Sequence, residues 1–339
     1  MDLKDRKICT RCVLPEAPPG IVFDKDGVCN LCLEHERNRK EMSGDALLET
    51  DFIKLLNKKP GKDKYDCMVM CSGGKDSTAA LYYMVKRYQK RVLAFTFDHG
   101  FETEGALENI KKAVDRLGVD FMFFRSDFMK EMFLRILETE SKAVICHPCS
   151  IWYMDLAFDI AARHRIPIIV AGWTKGQSNK QEAMSKCGCN VHSPEFAAMG
   201  QATREFLDRE LDDLDKYRDF PRTMEDVLKR AKKRFKSIVV SPHWFLPYDQ
   251  KTYVKMIQEE LDWEFQKVSY PKRSTNCELN FLSVHNSMKY FGYTHYHVEA
   301  SKLVREGVLT REEALEDLQI DFSEKLLKSV AGKLGHEHK

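Results

Sequence analysis

The sequence has no apolar run approaching the ~18 residues that a membrane-spanning helix needs. Its opening, Met1-Asp2-Leu3-Lys4-Asp5-Arg6-Lys7, lacks the apolar segment of a secretory signal. Both absences predict a cytoplasmic protein without a membrane span. An excess of charge is lacking too: 54 Lys and Arg against 52 Asp and Glu leave a net charge of +2, which is not the footprint of a dedicated nucleic-acid binder. There is no internal repeat and no low-complexity tract. What remains is a 339-residue chain, 43% hydrophobic, able to bury a sizeable core in one large or two to three small domains. Its 11 cysteines are an odd number and fall partly in pairs, which points to metal ligands or reactive thiols in a reducing compartment rather than a disulfide framework.

Residues 1–60 read as a Cys-, Pro- and Gly-rich module followed by a charged, helix-containing connector. From about residue 64 the pattern changes. Short apolar runs at 66–71, 91–97, 121–124, 166–173 and 238–240 read as strands. Helical spacing fills 77–84, 104–117, 128–142 and 149–164, and the charge-dense stretch 202–236 also reads as helical. Strands alternating with helices predict an α/β fold, a doubly wound parallel sheet covered on both faces, over 61–250. Residues 251–339 read as mainly helical, with Thr310-Arg311-Glu312-Glu313 as a capping box.

Ser72-Gly73-Gly74-Lys75-Asp76-Ser77 follows the first strand and opens a helix, the place where an open parallel sheet binds ligands. Two glycines permit close backbone approach to a phosphate, and the free amides of a helix start favour anions. Lys75 adds positive charge, Ser72 and Ser77 add hydroxyls, and Asp76 can help to hold Mg²⁺. The loop is not a Walker A motif, because Val69 and Asp76 stand where that motif needs Gly and Ser or Thr. In this context the hexapeptide resembles the PP-loop of ATP pyrophosphatases. The resemblance implies ATP as substrate, cleavage between the α- and β-phosphates, Lys75, Asp76 and Ser77 as catalytic residues, and nucleotide contacts from Ser72, Gly73, Gly74, Asp98, Gly172 and Gln177.

Cys9, Cys12, Cys29 and Cys32 give two C-x-x-C pairs, a strong signal for a structural tetrathiolate Zn²⁺ site in a module too small to fold on its own core. Cys146 and Cys149 form a further pair before a helix, and Cys277 follows much later. Some PP-loop tRNA sulfur transferases have a similar layout. That resemblance implies a 4Fe–4S cluster on Cys146, Cys149 and Cys277 with one iron open, and Cys187 or Cys189 compete as the third ligand. Cys67 and Cys71 read as core residues.

Taken end to end, the chain resembles the N-acetyl sugar amidotransferases of bacterial surface-polysaccharide biosynthesis. The segments CTRCVLPEAPPGIVFDKDGVCNLC, YDCMVMCSGGKDS and FGYTHYHVEASKLVREGVLTREEALEDL carry the resemblance. It implies adenylation of a sugar N-acetyl oxygen, with the sugar nucleotide-linked or lipid-linked. Ammonia from a partner glutaminase then displaces AMP. Cys146-His147-Pro148-Cys149 departs from that family's pattern and raises sulfur transfer to tRNA or a small molecule as the alternative. His285, His295 and His297, and the basic run 229–236, read first as capping or solvated residues and second as substrate or RNA surfaces. Trp173 reads equally as a core residue or a stacking platform.

Overall fold

A computed structural model describes residues 7–39, 48–177, 194–212, 214–247, 249–272 and 277–336. The five apolar runs form β1 (Cys67–Met70), β2 (Val92–Asp98), β3 (Asp120–Arg125), β4 (Ile168–Val170) and β5 (Ile238–Val240). All neighbours are parallel, in the order β3-β2-β1-β4-β5. The order reverses at β1, whose Val69 pairs Ala94 on one side and Val170 on the other. A sheet of this topology opens its binding crevice there, at the carboxyl ends of the strands.

Strand periodicity divides the interior into two layers. Met68, Met70, Leu93, Phe95 and Phe97 face one core, shared with α5 (Lys130–Glu138) and α6 (Cys146–Arg163). Cys67, Val69, Cys71, Val92 and Ala94 face the other, shared with α3 (Lys75–Tyr82), α4 (Glu104–Leu117) and Tyr253, Ile257 and Leu261 of the later helix Gln250–Leu261. Burying each large apolar side chain contributes on the order of 1.5–3 kcal/mol. Helix α4 shows why the local sequence folds as it does. The Thr103 hydroxyl accepts from the Ala106 amide at its start, Ala106, Ile110, Ala113 and Leu117 form its buried stripe, and Gly118 ends it at φ 62°.

The remaining helices, in chain order with those above, are α1 (Asn30–Arg39), α2 (Glu49–Lys58), α7 (Pro194–Glu210), α8 (Met224–Arg234), α9 (Gln250–Leu261), α10 (Leu279–Tyr290), α11 (His295–Arg305), α12 (Arg311–Asp317) and α13 (Glu324–Leu334). Thr310 and Glu313 close the capping box of α12 as the sequence predicts. The cysteine module packs on this C-terminal region: Cys9, Cys12, Cys29 and Cys32 share a core with Tyr293 and Val298. Arg311 Nε donates to the carbonyls of Cys9 and Cys12 at 3.2 and 3.0 Å. Among the described residues no helix is long and apolar enough to cross a membrane.

Three expectations change. The stretch 202–236 divides between α7 and α8, with a 3₁₀ turn at Asp215–Tyr217 between them. Strand β3 is an edge strand, so Phe121, Phe123 and Phe124 remain 37–45% exposed despite their apolar character. The basic run is partly structural: Arg230 and Arg234 of α8 pair with Asp155 of α6 at 3.5 and 3.2 Å.

Candidate active site

The loop after β1 is held from behind. Gly73 lies at φ +75°, and a Cβ there would stand 2.2 Å from the carbonyl oxygen of Ala106. Only glycine meets both conditions. The Gly73 carbonyl accepts from the Trp263 indole N–H at 2.8 Å and from Asn109 Nδ2 at 3.3 Å. Within the loop, the Ser72 amide donates to Ser77 Oγ at 3.2 Å, the two hydroxyls are 3.0 Å apart, and Ser77 Oγ reaches the Gly74 carbonyl at 3.1 Å. The amides of the first turn of α3 have no intrahelical acceptors, as at any helix start, and form the anion-binding end of the helix.

Lys75 is 7% exposed and pairs with Asp76 at 3.0 Å. Asp76 also accepts a short hydrogen bond from the Tyr253 hydroxyl, and His243 Nε2 meets the Asp76 carbonyl at 2.8 Å. Because a carbonyl only accepts, Nε2 carries the proton. Burial pushes the Asp76 carboxyl up, but Lys75, His243 and Tyr253 together hold it below the usual carboxylate range. Burial pushes the His243 imidazole down, so it stays neutral.

A cleft of about 280 Å³ opens over the loop. Ser72, Gly74, Asp76 and Ser77 line one side, and Gly172, Trp173 and Gln177, beyond the end of β4, line another. Ser150, Tyr153 and Met154 of α6 and Tyr296 of α11 complete it. Trp173 thus faces the cleft while also lying 6.3 Å from Trp244, centroid to centroid. A smaller cavity of about 100 Å³ lies at the opposite ends of the strands, by Asp66, Cys67 and Ile168, and holds none of the predicted site residues.

Of the predicted nucleotide-binding residues, Ser72, Gly74, Asp76, Ser77, Gly172 and Gln177 converge on the cleft. Gly73 lies behind the loop against α4, and Lys75 is buried against Asp76. Gly172 has a packing role as well: a Cβ there would stand 2.4 Å from the Ser77 amide nitrogen. Asp98 is turned away from the cleft lining, accepting from the Gly100 amide at 2.6 Å and facing Arg125 at 3.3 Å. Sequence reading missed Asn109, His243, Tyr253 and Trp263, which reach the loop from other elements and carry no motif of their own. It also missed Glu299 of α11. Burial, then the charge of Asp76, push that carboxyl up to about 8, and Gln177 hydrogen-bonds to it.

The N-terminal thiols fit a tetrahedral metal. Cys9–Cys32 and Cys12–Cys29 Sγ distances are both 3.8 Å, and all four sulfur atoms lie within 4.8 Å of one another in a buried pocket. Four Zn–S bonds of about 2.3 Å in tetrahedral array separate sulfur atoms by about 3.8 Å. The amides of Arg11, Cys12 and Cys29 donate to Cys9 Sγ at 3.2–3.4 Å, a second shell that favours thiolate. Cys67 and Cys71 are buried core residues, and burial pushes the Cys71 thiol up to about 12.

Cys146 and Cys149 start α6, and Cys277 precedes α10. Burial pushes the Cys277 thiol up. Its Sγ stands 3.5 Å from His99 Nε2. Cys187 and Cys189 lie outside the described residues. Of the tail histidines, His297 is buried and caps α11, with Nδ1 accepting from the Thr294 amide at 3.1 Å.

Residues 66–149 match the family described as "Queuosine biosynthesis protein QueC". The matched stretch holds β1, the Ser72–Ser77 loop and α3, the elements just described. That stretch is similar to a PP-loop ATP pyrophosphatase. The chain is also similar to a curated relative, an uncharacterised protein of Methanocaldococcus jannaschii, 26% identical over 124 residues; the match covers 35% of this chain and 43% of that protein, less than half of its length. Among solved structures, the chain is similar to "U34-tRNA thiolase NcsA from Methanococcus maripaludis with its [4Fe-4S] cluster", at 15% identity and TM-score 0.35, covering 93% of this chain and 90% of that one. It is also similar to the NH3-dependent NAD synthetase of Campylobacter jejuni, at 15% identity and TM-score 0.30, covering 55% and 90%. At these scores neither likeness bears on what the chain does.

Proposed function

We propose that the chain adenylates the amide oxygen of an N-acetyl sugar and that ammonia then displaces AMP, leaving an acetamidino group. One observation carries the reading. The C-terminal segment that resembles the sugar amidotransferases is the segment that supplies Tyr296 to the nucleotide cleft. This supports the reading that the side of the cleft bearing Tyr296 receives the acceptor.

In this reading the loop amides and Lys75 bind the β- and γ-phosphates that leave as pyrophosphate. Asp76, held ionised by Lys75, His243 and Tyr253, would take Mg²⁺, which when bound neutralises phosphate charge. The acetamido oxygen attacks the α-phosphorus and the bond to the β-phosphate oxygen breaks. Ammonia nitrogen then bonds to the activated carbon, AMP leaves with the former acetamido oxygen, and one proton is released. In this reading Glu299, whose raised carboxyl hydrogen-bonds to Gln177 of the cleft lining, would give its proton to the departing AMP and recover one from the ammonia nitrogen. Tyr153, Trp173 and Tyr296 wall the cleft with rings that limit water at the activated carbon. Zn²⁺ on Cys9, Cys12, Cys29 and Cys32 would staple the N-terminal module, and a glutaminase partner would deliver the ammonia.

A second reading rests on the sequence layout of Cys146, Cys149 and Cys277, which is similar to that of PP-loop tRNA sulfur transferases. With a 4Fe–4S cluster on those thiols, the same adenylation would precede sulfur transfer to tRNA or a small molecule.

The deciding experiment supplies an N-acetyl sugar nucleotide labelled with ¹⁸O in the acetamido group, together with ATP, Mg²⁺ and ammonium. The expected result is AMP carrying the label, with pyrophosphate and an amidine product. Products of ADP and orthophosphate overturn the adenylation, whereas labelled AMP formed only with sulfide and a reduced cluster replaces amidation by thiolation.

A further inference from the structure

Beside the cleft, and outside its lining, three side chains from two distant stretches meet. His99 follows β2, Glu102 lies three residues on, and Cys277 comes from the approach to α10. His99 Nε2 stands 3.5 Å from Cys277 Sγ and 3.6 Å from Glu102 Oε1, and the three ligand atoms lie within 4.8 Å of one another. The backbone fixes the meeting. Glu102 and Cys277 form an isolated antiparallel bridge, and the Glu278 amide donates to the Phe101 carbonyl at 2.8 Å. The rings of Phe97, Phe101 and Phe133, centred 5.6–5.8 Å from that of His99, wall the group.

A buried histidine bonded to a thiol is the ordinary account of such a contact, and at His99, which is 4% exposed, it leaves two features unexplained. A thiol and a carboxylate both approach the same ring nitrogen, which bears at most one proton. The separations also match the edges of a coordination tetrahedron: bonds of about 2.0–2.1 Å to nitrogen and 2.3 Å to sulfur place those two atoms about 3.5 Å apart.

We propose that His99, Glu102 and Cys277 form a mononuclear site for a borderline divalent cation of the Zn²⁺ class, separate from the N-terminal quartet. The mixed nitrogen, oxygen and sulfur donor set selects against Mg²⁺ and Ca²⁺, which take oxygen ligands. Three protein ligands leave a fourth position for water. The site is independent of the acceptor and of the nucleophile proposed above. It competes with a three-cysteine cluster for Cys277, and His99 and Glu102, which such a cluster does not require, tell the two apart.

The test is metal analysis of the full chain, purified without oxygen and reconstituted with Zn²⁺ under reducing conditions. Wild type is expected to hold about two zinc ions, and His99→Gln, Glu102→Gln and Cys277→Ser about one each, with unchanged circular dichroism. Co²⁺ in place of Zn²⁺ gives a second reading: His99→Gln should lose one set of tetrahedral d–d bands while keeping the tetrathiolate set. If Cys277→Ser does not fold, the two isosteric variants decide alone. A single zinc in wild type overturns the site, as does the same zinc content in wild type and His99→Gln. So does a cluster of about four irons and four sulfides that His99→Gln retains and Cys277→Ser loses.

Discussion

The indole N–H of Trp263 donates to the main-chain carbonyl of Gly73 at 2.8 Å, tying the phosphate loop to a residue 190 positions away. Asn109 shares that carbonyl and also spans to the Glu264 backbone, donating to its carbonyl at 2.8 Å and accepting from its amide at 3.0 Å. The loop is therefore clamped between α4 and the segment after α9. Trp263→Phe keeps a ring in the core but removes the donor. It is expected to cost on the order of 1–3 kcal/mol in denaturant unfolding and to raise the KM for ATP. An unchanged KM alongside lost stability would mean that the clamp does not set the loop geometry.

Lys75 and Asp76 separate charge neutralisation from metal binding. Lys75→Ala removes the buried cation beside Asp76, so the Asp76 carboxyl rises, and the loop loses its positive side chain. ATP–pyrophosphate exchange is expected to fall by at least about 100-fold, the scale seen when a preorganised charge partner is removed. Exchange at the full rate would take Lys75 out of the chemistry.

Gly172 and Gly100 make a matched pair. A Cβ on Gly172 would press within 2.4 Å of the Ser77 amide, and that backbone cannot move without shifting the loop. A Cβ on Gly100 meets nothing within 4 Å, and its φ of +90° is the only obstacle. Gly172→Ala should abolish nucleotide binding, measured by calorimetry. Gly100→Ala should cost only the strain of a left-handed residue, about 1–2 kcal/mol, and still bind ATP.

Much of this was legible in the sequence, for a physical reason. Strands β1 to β5 and helix α4 are specified by apolar periodicity that acts over a few residues, and the phosphate loop is one contiguous hexapeptide. The four cysteines near the N-terminus carry their own spacing. What the sequence hides is the set of long-range supports. His243, Tyr253 and Trp263 are ordinary residues locally, and only the topology brings them to Gly73 and Asp76. Asp98 illustrates the converse. Its place at a strand end is legible in the sequence, but the contacts its carboxylate makes with the Gly100 amide and Arg125 are not. The run 121–124 reads as a strand, but nothing local says that it lies at the sheet edge with its phenylalanines partly exposed.

Glu299 gives a pH signature. Its carboxyl is raised to about 8 in the folded chain against an ordinary value of 4.5, so between those values the folded state holds a proton that the unfolded state has lost. Stability is then fully present below about pH 4.5 and falls as pH rises toward 8, with a slope of at most about 1.4 kcal/mol per pH unit. Glu299→Gln is expected to flatten urea-derived stability across pH 5–8 relative to wild type. If the same decline persists in the variant, the proton is held elsewhere.

The N-terminal quartet allows the interface between the cysteine module and the C-terminal helices to be tested. Arg311 holds the Cys9 and Cys12 carbonyls, and Arg305 reaches Cys12 Sγ at 3.8 Å, so the thiolate turn and α11–α12 share one set of contacts. Four thiolates packed within 4.8 Å of one another repel strongly unless protonated or metal-bound, and the small module has little apolar area to oppose that repulsion. A strong chelator is therefore expected to unfold residues 7–39 first. Amide protection should then drop in that segment and in α11–α12, while β1, β2 and α3 keep theirs. Cys12→Ser should reproduce the chelated pattern without chelator. Because Tyr296 of α11 lines the cleft, loss of metal should also weaken acceptor binding more than ATP binding. Equal weakening of both would place the disturbance in the sheet, and hydrogen exchange of β1 would show it.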